Sequence, residues 1–130
     1  MISKATHLVV SQASRPGGLA KFCSALGAAG VNITAVYAPE ARGNGRMRVM
    51  ADDLAAARIA LKTARIKFSE EEVLEVELDN RPGAFGELAG KLARAKINIR
   101  YAYATTSPFA RAKVVMSVSE FDKALRVLGE

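Results

Sequence analysis

The same segment occurs twice in the sequence, 66 positions apart. Residues 14–38 align without a gap with residues 80–104, and nine of the 25 aligned pairs are identical. The identical pairs include an Arg-Pro-Gly sequence near the start of each segment and an Asn-Ile sequence further on. The same offset pairs Val49-Met50 with Val115-Met116. Repetition at a fixed spacing indicates a duplicated structural unit, so we predict two copies of one unit, residues 1–69 and 70–130.

Hydrophobic spacing predicts the same order of elements in both copies, β-α-β-β-α. Apolar residues recur at steps of three and four in the predicted helices, as in Leu19, Phe22, Cys23 and Leu26. This spacing is typical of a helix with one buried face. Segments rich in β-branched and aromatic residues are predicted strands. The predicted strands are Ala5–Gln12, Val31–Ala38, Met47–Ala51, Val73–Leu78, Ile97–Ala104 and Ala112–Val118, with a last strand of the first copy near Ile66–Phe68.

This order favours an α+β fold of two ferredoxin-like βαββαβ repeats, in which two helices cover one face of an antiparallel sheet. The second repeat lacks its last strand, because the sequence stops at Glu130, directly after the second helix. An uncovered sheet edge tends to pair with another strand. We therefore expect the first strand of the second copy, around Leu74–Leu78, to be covered by the other copy or by another chain.

Charge is divided unevenly along the chain. The net charge of +6 lies in residues 1–66, which hold nine Lys and Arg against three Asp and Glu, whereas residues 67–130 hold ten of each. A basic half can attract nucleic acid or an acidic partner, or it can be a solvated surface. The single cysteine rules out an intrachain disulfide and favours the cytoplasm. The apolar runs are too short to span a membrane.

Residues that enzymes use are sparse. The only histidine, His7, lies in a predicted strand, and the only cysteine, Cys23, lies on the apolar face of a helix, where a structural role is expected. We interpret the acidic run of residues 70–72 as a solvated connection between the copies. No phosphate-binding or dinucleotide motif is present, and Gly43-Asn44-Gly45 is predicted to be a hairpin turn. We therefore predict a protein that is not an enzyme and has no cofactor and no metal ion.

The two repeated motifs favour binding instead. The Arg-Pro-Gly sequence precedes a helix whose first N–H groups lack partners within the helix, and such an end binds carboxylates and phosphates. Gly17 and Gly83 allow a ligand to approach the backbone closely, and an asparagine side chain offers both a donor and an acceptor. Together they could hold an amino acid. Alternatively, proline and glycine only shape the turn, and asparagine caps the neighbouring segment.

The second copy resembles the ACT domain through Asp79-Asn80-Arg81-Pro82-Gly83-Ala84-Phe85 followed by Ile97-Asn98-Ile99. The whole sequence resembles the small proteins made of two ACT repeats. The resemblance implies βαββαβ modules that commonly bind amino acids between two modules and regulate metabolic enzymes. The ligand-binding residues that it implies are Asn80, Gly83, Ala84, Phe85, Asn98 and Ile99 in the second copy, and Ser14, Gly17, Gly18, Leu19, Asn32 and Ile33 in the first. Ser14 departs from the usual asparagine, which implies an altered or vacant first site.

The resemblance therefore favours a regulatory protein that binds a free amino acid, forms a homodimer and has a metabolic enzyme as partner. The alternative is an assembly subunit that binds no ligand and acts through protein–protein contacts. Nucleic acid is not expected as a partner, because RNA-recognition modules with this element order stack bases on aromatic residues of their central strands. The predicted third strands, Met47–Ala51 and Ala112–Val118, contain no aromatic residue. A membrane partner is not expected either.

Overall fold

The computed structural model describes residues 2–13, 17–39, 44–107 and 110–129. The elements are β1 Ile2–Ala13, α1 Gly18–Ala28, β2 Ile33–Tyr37, β3 Asn44–Ala51, α2 Leu54–Thr63, β4 Ser69–Leu78, α3 Ala84–Arg94, β5 Ile99–Ser107, β6 Ala110–Val118 and α4 Phe121–Gly129. They divide into two compact units: the first unit is Thr6–Glu71, and the second unit is Met1–Ala5 with Glu72–Glu130. None of the described helices is long and apolar enough to cross a membrane.

The first unit is an antiparallel sheet with helices α1 and α2 packed on one face. Strand β3 lies between β2 and β1, with Val49 opposite both Leu8 and Val36. The first residues of β4 lie on the other side of β1. Apolar side chains from the sheet and both helices form its core, as predicted from the helical spacing. The buried core residues are Leu8, Val10, Phe22, Leu26, Val31, Met47, Val49, Ala57, Ala60 and Leu61.

The second unit repeats this arrangement with β4, β5, β6, α3 and α4. Strand β6 lies between β5 and β4, and Met116 is opposite both Ala102 and Leu74. Its core residues are Leu74, Val76, Leu88, Leu92, Ile97, Val114, Met116, Val118 and Ala124. Most of them occupy the positions of the first core after the duplication. The predicted α+β fold with two ferredoxin-like repeats is thus confirmed.

The start of the chain supplies the strand that the second copy lacks. No strand follows α4 in the described residues, but β1 lies next to β4, and residues 1–5 belong to the second unit. Ile2 packs against the second core, and the Lys4 ammonium lies 5.4 Å from the centre of the Phe121 ring. The prediction that the other copy covers this edge is therefore confirmed.

The end of the first copy differs from its prediction. Residues 66–68 are not a strand; the strand begins at Ser69, so the predicted strand near Ile66–Phe68 is wrong. The acidic residues 70–72 belong to that strand and not to a connection, although Glu70 and Glu72 are exposed to solvent as predicted. Partners within the first unit explain the difference. Arg58 donates two hydrogen bonds to the Glu70 carboxylate, at 2.6 and 2.9 Å. The Glu71 carboxylate accepts hydrogen bonds from His7 of β1 and Arg48 of β3.

The register of the strands locates a one-residue insertion in the second copy. Val36 is opposite Val49, whereas the equivalent Ala102 is opposite Met116, so the offset is 66 in one strand and 67 in the next. The pairing of Val49-Met50 with Val115-Met116 is therefore wrong by one residue. The insertion lies in the hairpin between these strands. Of the predicted hairpin turn Gly43-Asn44-Gly45, Gly43 lies outside the described residues, while Asn44 and Gly45 belong to β3.

Equivalent helix ends in the two copies carry different residues in the same backbone conformation. Gly30 follows α1 with φ of 74°, and Lys96 follows α3 with φ of 61°. Both helix ends are closed by the same hydrogen bond, from Val31 N–H to Leu26 O and from Ile97 N–H to Leu92 O. The left-handed region strains a residue with a Cβ atom but not glycine. Lys96 is therefore strained where its counterpart is not.

Replacing Lys96 with glycine is expected to raise the free energy of unfolding by about 0.5–1 kcal/mol, because the relief of strain exceeds the added flexibility of the unfolded chain. Urea denaturation measures the change. The reverse substitution, Gly30→Lys, is the matched control. A Cβ atom at Gly30 meets no atom within 4 Å, so the backbone effect should dominate and the protein should lose about the same amount. A neutral Gly30→Lys would contradict this explanation.

Candidate functional site

A tight turn positions the start of α3. The Arg81 N–H donates to the Asp79 carbonyl at 2.9 Å, and the Ala84 N–H donates to the Arg81 carbonyl at 3.3 Å. Gly83 follows with φ of 87°, and Gly17 has φ of 91° at the equivalent position before α1. Neither helix has a side-chain cap at its glycine. The Ala84 N–H is thus occupied, and among the described residues the N–H groups of Phe85 and Gly86 are the ones left for solvent or a ligand at the start of α3.

A cavity of about 230 Å³ opens beside this turn in the second unit. Asp79, Asn80 and Arg81 supply its polar side, and Ala84 and Phe85 supply the start of the helix. The opposite wall comes from the ends of strands, namely Leu78, Ala104, Thr105, Ala112 and Val114. Three of the residues implied by the resemblance, Asn80, Ala84 and Phe85, thus line one cavity.

Ion pairs hold the charged side chains of the turn. Arg81 donates two hydrogen bonds to Glu87 in the first turn of α3, at 2.8 and 3.2 Å. These bonds raise the pKa of Arg81 and lower the pKa of Glu87. The Asp79 carboxylate lies 3.6 Å from the Arg111 guanidinium. All four groups are well exposed, so the pairs contribute little stability and mainly orient the turn.

The Asn-Ile motif of the second copy lies at the opposite end of β5. The Asn98 N–H donates to Ser119 Oγ at 3.0 Å, and the Asn98 carbonyl accepts from the Ser119 N–H at 2.9 Å. The cavity touches β5 at Ala104, five residues beyond Ile99, which corresponds to about 17 Å along a strand. One unit therefore does not bring the turn and the asparagine together. Their joint role stays a prediction that requires two modules.

The first copy shows the same geometry where it is described. Ser14 lies outside the described residues. Gly17 precedes α1, Gly18 begins it, and Leu19 is 43% exposed, close to the 41% of the equivalent Phe85. Asn32 exchanges hydrogen bonds of 3.0 Å with Asp52 through its backbone, as Asn98 does with Ser119, and Ile33 begins β2. An exposed apolar side chain at the start of the first helix is thus common to both copies.

Sequence reasoning missed a polar cluster around His7. The side chain of His7 is fully buried, and its Nε2 lies 3.0 Å from Glu71 Oε1, which also accepts from Arg48 Nε at 3.4 Å. Burial lowers the pKa of His7, while the hydrogen bond and charge of Glu71 oppose this. Cys23 is half-buried against the first core. In the described part of the chain, no group of three or more His, Cys, Asp or Glu could hold a metal ion.

Several solved structures share this fold. A protein of Bacteroides thetaiotaomicron is 26% identical, with a TM-score of 0.90, and the match covers 98% of this chain and 88% of that one. The regulatory subunit of aspartate kinase from Thermus thermophilus is 18% identical, with a TM-score of 0.67 and coverage of 98% and 94%. Its counterpart from Thermus flavus is 18% identical, with a TM-score of 0.62 and coverage of 98% and 94%.

No protein-family model matches the sequence, and no curated protein matches it significantly. Identity of 18% to the aspartate kinase subunits establishes a shared fold. That fold agrees with the duplicated βαββαβ order and with the glycine turn before the first helix of each copy. The chain therefore shares the fold of these regulatory subunits, built from two copies of one unit, and this is the fold that the resemblance to the ACT domain implies.

Proposed function

We propose that this protein is a non-catalytic regulatory protein that binds a free amino acid at the turn before α3. The cavity beside that turn carries the proposal, because it joins a polar turn and an uncapped helix start to an apolar wall. An amino acid has the same division into a charged backbone and a side chain. Pockets for drug-sized ligands measure about 300–1,000 Å³, so a cavity of about 230 Å³ suits a smaller metabolite.

The chemistry of the turn fits both charged groups of an amino acid. The Ala84 N–H is occupied by Arg81, which leaves the next N–H groups, of Phe85 and Gly86, for a carboxylate at the positive end of the helix dipole. Glu87 does not oppose this strongly, because the bidentate contact with Arg81 offsets its charge. The Asp79 carboxylate and the Asn80 amide are suited to the ammonium group.

The position of Asn98 favours a site made from two modules. Because this residue precedes β5 and lies six residues, or about 20 Å along a strand, from Ala104 of the cavity of its own unit, a ligand at the turn can reach an equivalent asparagine only in another module. In a homodimer, the partner chain supplies such a module. Ligand binding would then alter how the modules pack, and a metabolic enzyme partner would respond to that change. The likeness to regulatory subunits of aspartate kinase supports a regulatory role.

An assembly role without ligand remains the second candidate, and the exposed apolar residues favour it. Leu19 and Phe85 are exposed at equivalent positions of the two copies. Val36 and Tyr37 are exposed on β2, which is an edge strand of its unit. Large exposed apolar side chains that recur at equivalent positions of both copies are suited to protein contacts. This candidate predicts self-association without any response to amino acids.

Substituting Asn98 with alanine is expected to weaken amino acid binding about tenfold, which corresponds to the loss of one charge-assisted hydrogen bond. The fold should be unaffected, since the side chain is exposed and the contacts with Ser119 use the backbone and the serine hydroxyl. A thermal-shift screen against the twenty amino acids at millimolar concentration first identifies the ligand, because a ligand that binds only the folded state raises the melting temperature. Titration of the variant then gives its affinity.

Asn32→Ala is the matched control in the first copy, where Ser14 replaces the usual asparagine, and it is expected to have the smaller effect. Unchanged affinity in Asn98→Ala would remove this residue from the site. If no amino acid raises the melting temperature of a protein that unfolds cooperatively, the assembly role replaces the proposed one.

A further inference from the structure

A second cavity lies in the first unit, on the flank of α1. Its volume is about 460 Å³, and Gly18, at the start of the helix, lies on its wall. Three basic residues line it: Lys21 from α1, and Arg65 and Lys67 from the segment that follows α2. The apolar part of the wall includes Phe22 and Phe68. Among the residues that the structure describes, no acidic residue lines this cavity.

The three basic side chains lack ion-pair partners among the residues that the structure describes. Nearby basic residues behave differently, since Arg48 pairs with Glu71 and Arg58 pairs with Glu70. All three side chains are exposed, so water screens them, but like charges gathered around one cavity still repel each other modestly. A bound anion would relieve that repulsion and satisfy all three cations.

The duplication provides an internal comparison. The second unit has a cavity of about 480 Å³ at the equivalent place, lined by Ala84 and Leu88 where the first has Gly18 and Phe22. There Glu87 replaces Lys21, and Glu77 replaces Ser11. The two cavities therefore share their location and size but differ in charge. Divergence of charge at one duplicated position indicates that the two cavities do not serve the same ligand.

We propose that the cavity of the first unit is a binding site for a small anionic metabolite that carries phosphate or carboxylate groups. Lys21, Arg65 and Lys67 bind the anionic groups, as basic side chains do in charge-assisted hydrogen bonds. The start of α1 adds its dipole, and no acidic residue in its first turn opposes it. Phe22 and Phe68 contact the uncharged part of the ligand. This site accounts for part of the basic excess of residues 1–66.

The site is tested by titrating the full-length protein with pyrophosphate and with citrate at constant ionic strength, using amide chemical shifts as the readout. Binding should shift the amide signals of Gly18, Lys21 and residues 65–69. Lys21→Glu places the residue of the second copy in the first, and it should weaken binding at least about tenfold. Lys67→Gln should weaken it as well. Binding of pyrophosphate alone identifies a phosphate ligand, and binding of citrate alone identifies a carboxylate ligand.

Arg126→Gln is the control matched in charge to Lys67→Gln, because it removes one exposed positive charge from α4 at a residue that does not line this cavity. It should leave the affinity unchanged. Equal weakening in Arg126→Gln and Lys67→Gln, each of which removes one positive charge, would mean that the anions respond only to net charge and would overturn the proposal. The absence of binding by both anions would overturn it as well. Asn98→Ala should bind the anion normally, so the outcome is independent of the amino acid site.

Discussion

Removal of residues 1–5 is expected to lower the free energy of unfolding of the second unit by about 2–4 kcal/mol. Two losses add up to this value. Ile2 is half-buried against the second core, and its contacts contribute about 1–2 kcal/mol. The backbone of β1 also forms hydrogen bonds with the edge of β4, and each of these bonds that is lost costs about 1 kcal/mol. Denaturation by urea, combined with hydrogen exchange of the β4 amides, measures both parts.

Ile2→Ala serves as the control that separates the side chain from the backbone. It removes the apolar contact but keeps the strand, so it should cost about half as much as the truncation and leave the β4 amides protected. If the truncated protein keeps both its stability and its β4 protection, the first five residues are not part of the second unit.

Acidification below about pH 6.5 is expected to destabilise the first unit through His7. Burial lowers the pKa of His7 despite its contact with Glu71, so the unfolded chain takes up the proton at a higher pH than the folded one. The contribution of His7 to stability is therefore complete above the unfolded value of 6.5 and decreases as the pH falls. The loss amounts to at most about 1.4 kcal/mol per pH unit, and it ends when His7 becomes protonated in the folded state.

Urea denaturation between about pH 8 and pH 5 measures this dependence, and the sequence makes the assignment direct because His7 is its only histidine. His7→Phe should remove the slope near pH 6, although it also changes the stability at high pH. Glu71→Gln should extend the loss to lower pH, since the carboxylate favours the protonated imidazole. An unchanged slope in His7→Phe would show that other groups cause the acid sensitivity.

The duplication made most of the fold predictable, because each copy supported the assignment of the other. Leu26 and Leu92 illustrate this: they are one repeat apart, and each is fully buried in the core of its own unit. The strand that includes residues 70–72 was not predictable from local sequence, because three consecutive glutamates disfavour a strand. Its stability depends on His7, Arg48 and Arg58, which are distant in sequence and adjacent only after folding.

The candidate site was predictable only in part. The positive φ of Gly83 and the exposure of Phe85 agree with the Arg-Pro-Gly sequence, since the conformation of that turn is local. The separation of Asn98 from the turn depends on the direction of α3 across the sheet, which spacing along the chain does not reveal. The cluster of Lys21, Arg65 and Lys67 is likewise hidden in the sequence, where its members are up to 46 positions apart.

The assignment of residues 1–5 to the second unit has a consequence for the order of folding during synthesis. The first unit is a continuous stretch, Thr6–Glu71, so it can fold as soon as that stretch has left the ribosome. The second unit needs the first residues to be translated and also the last, Glu72–Glu130, and closing so long a loop slows folding. Residues 1–5 must therefore wait, unpaired with their final partner, until residues 72–130 have been made.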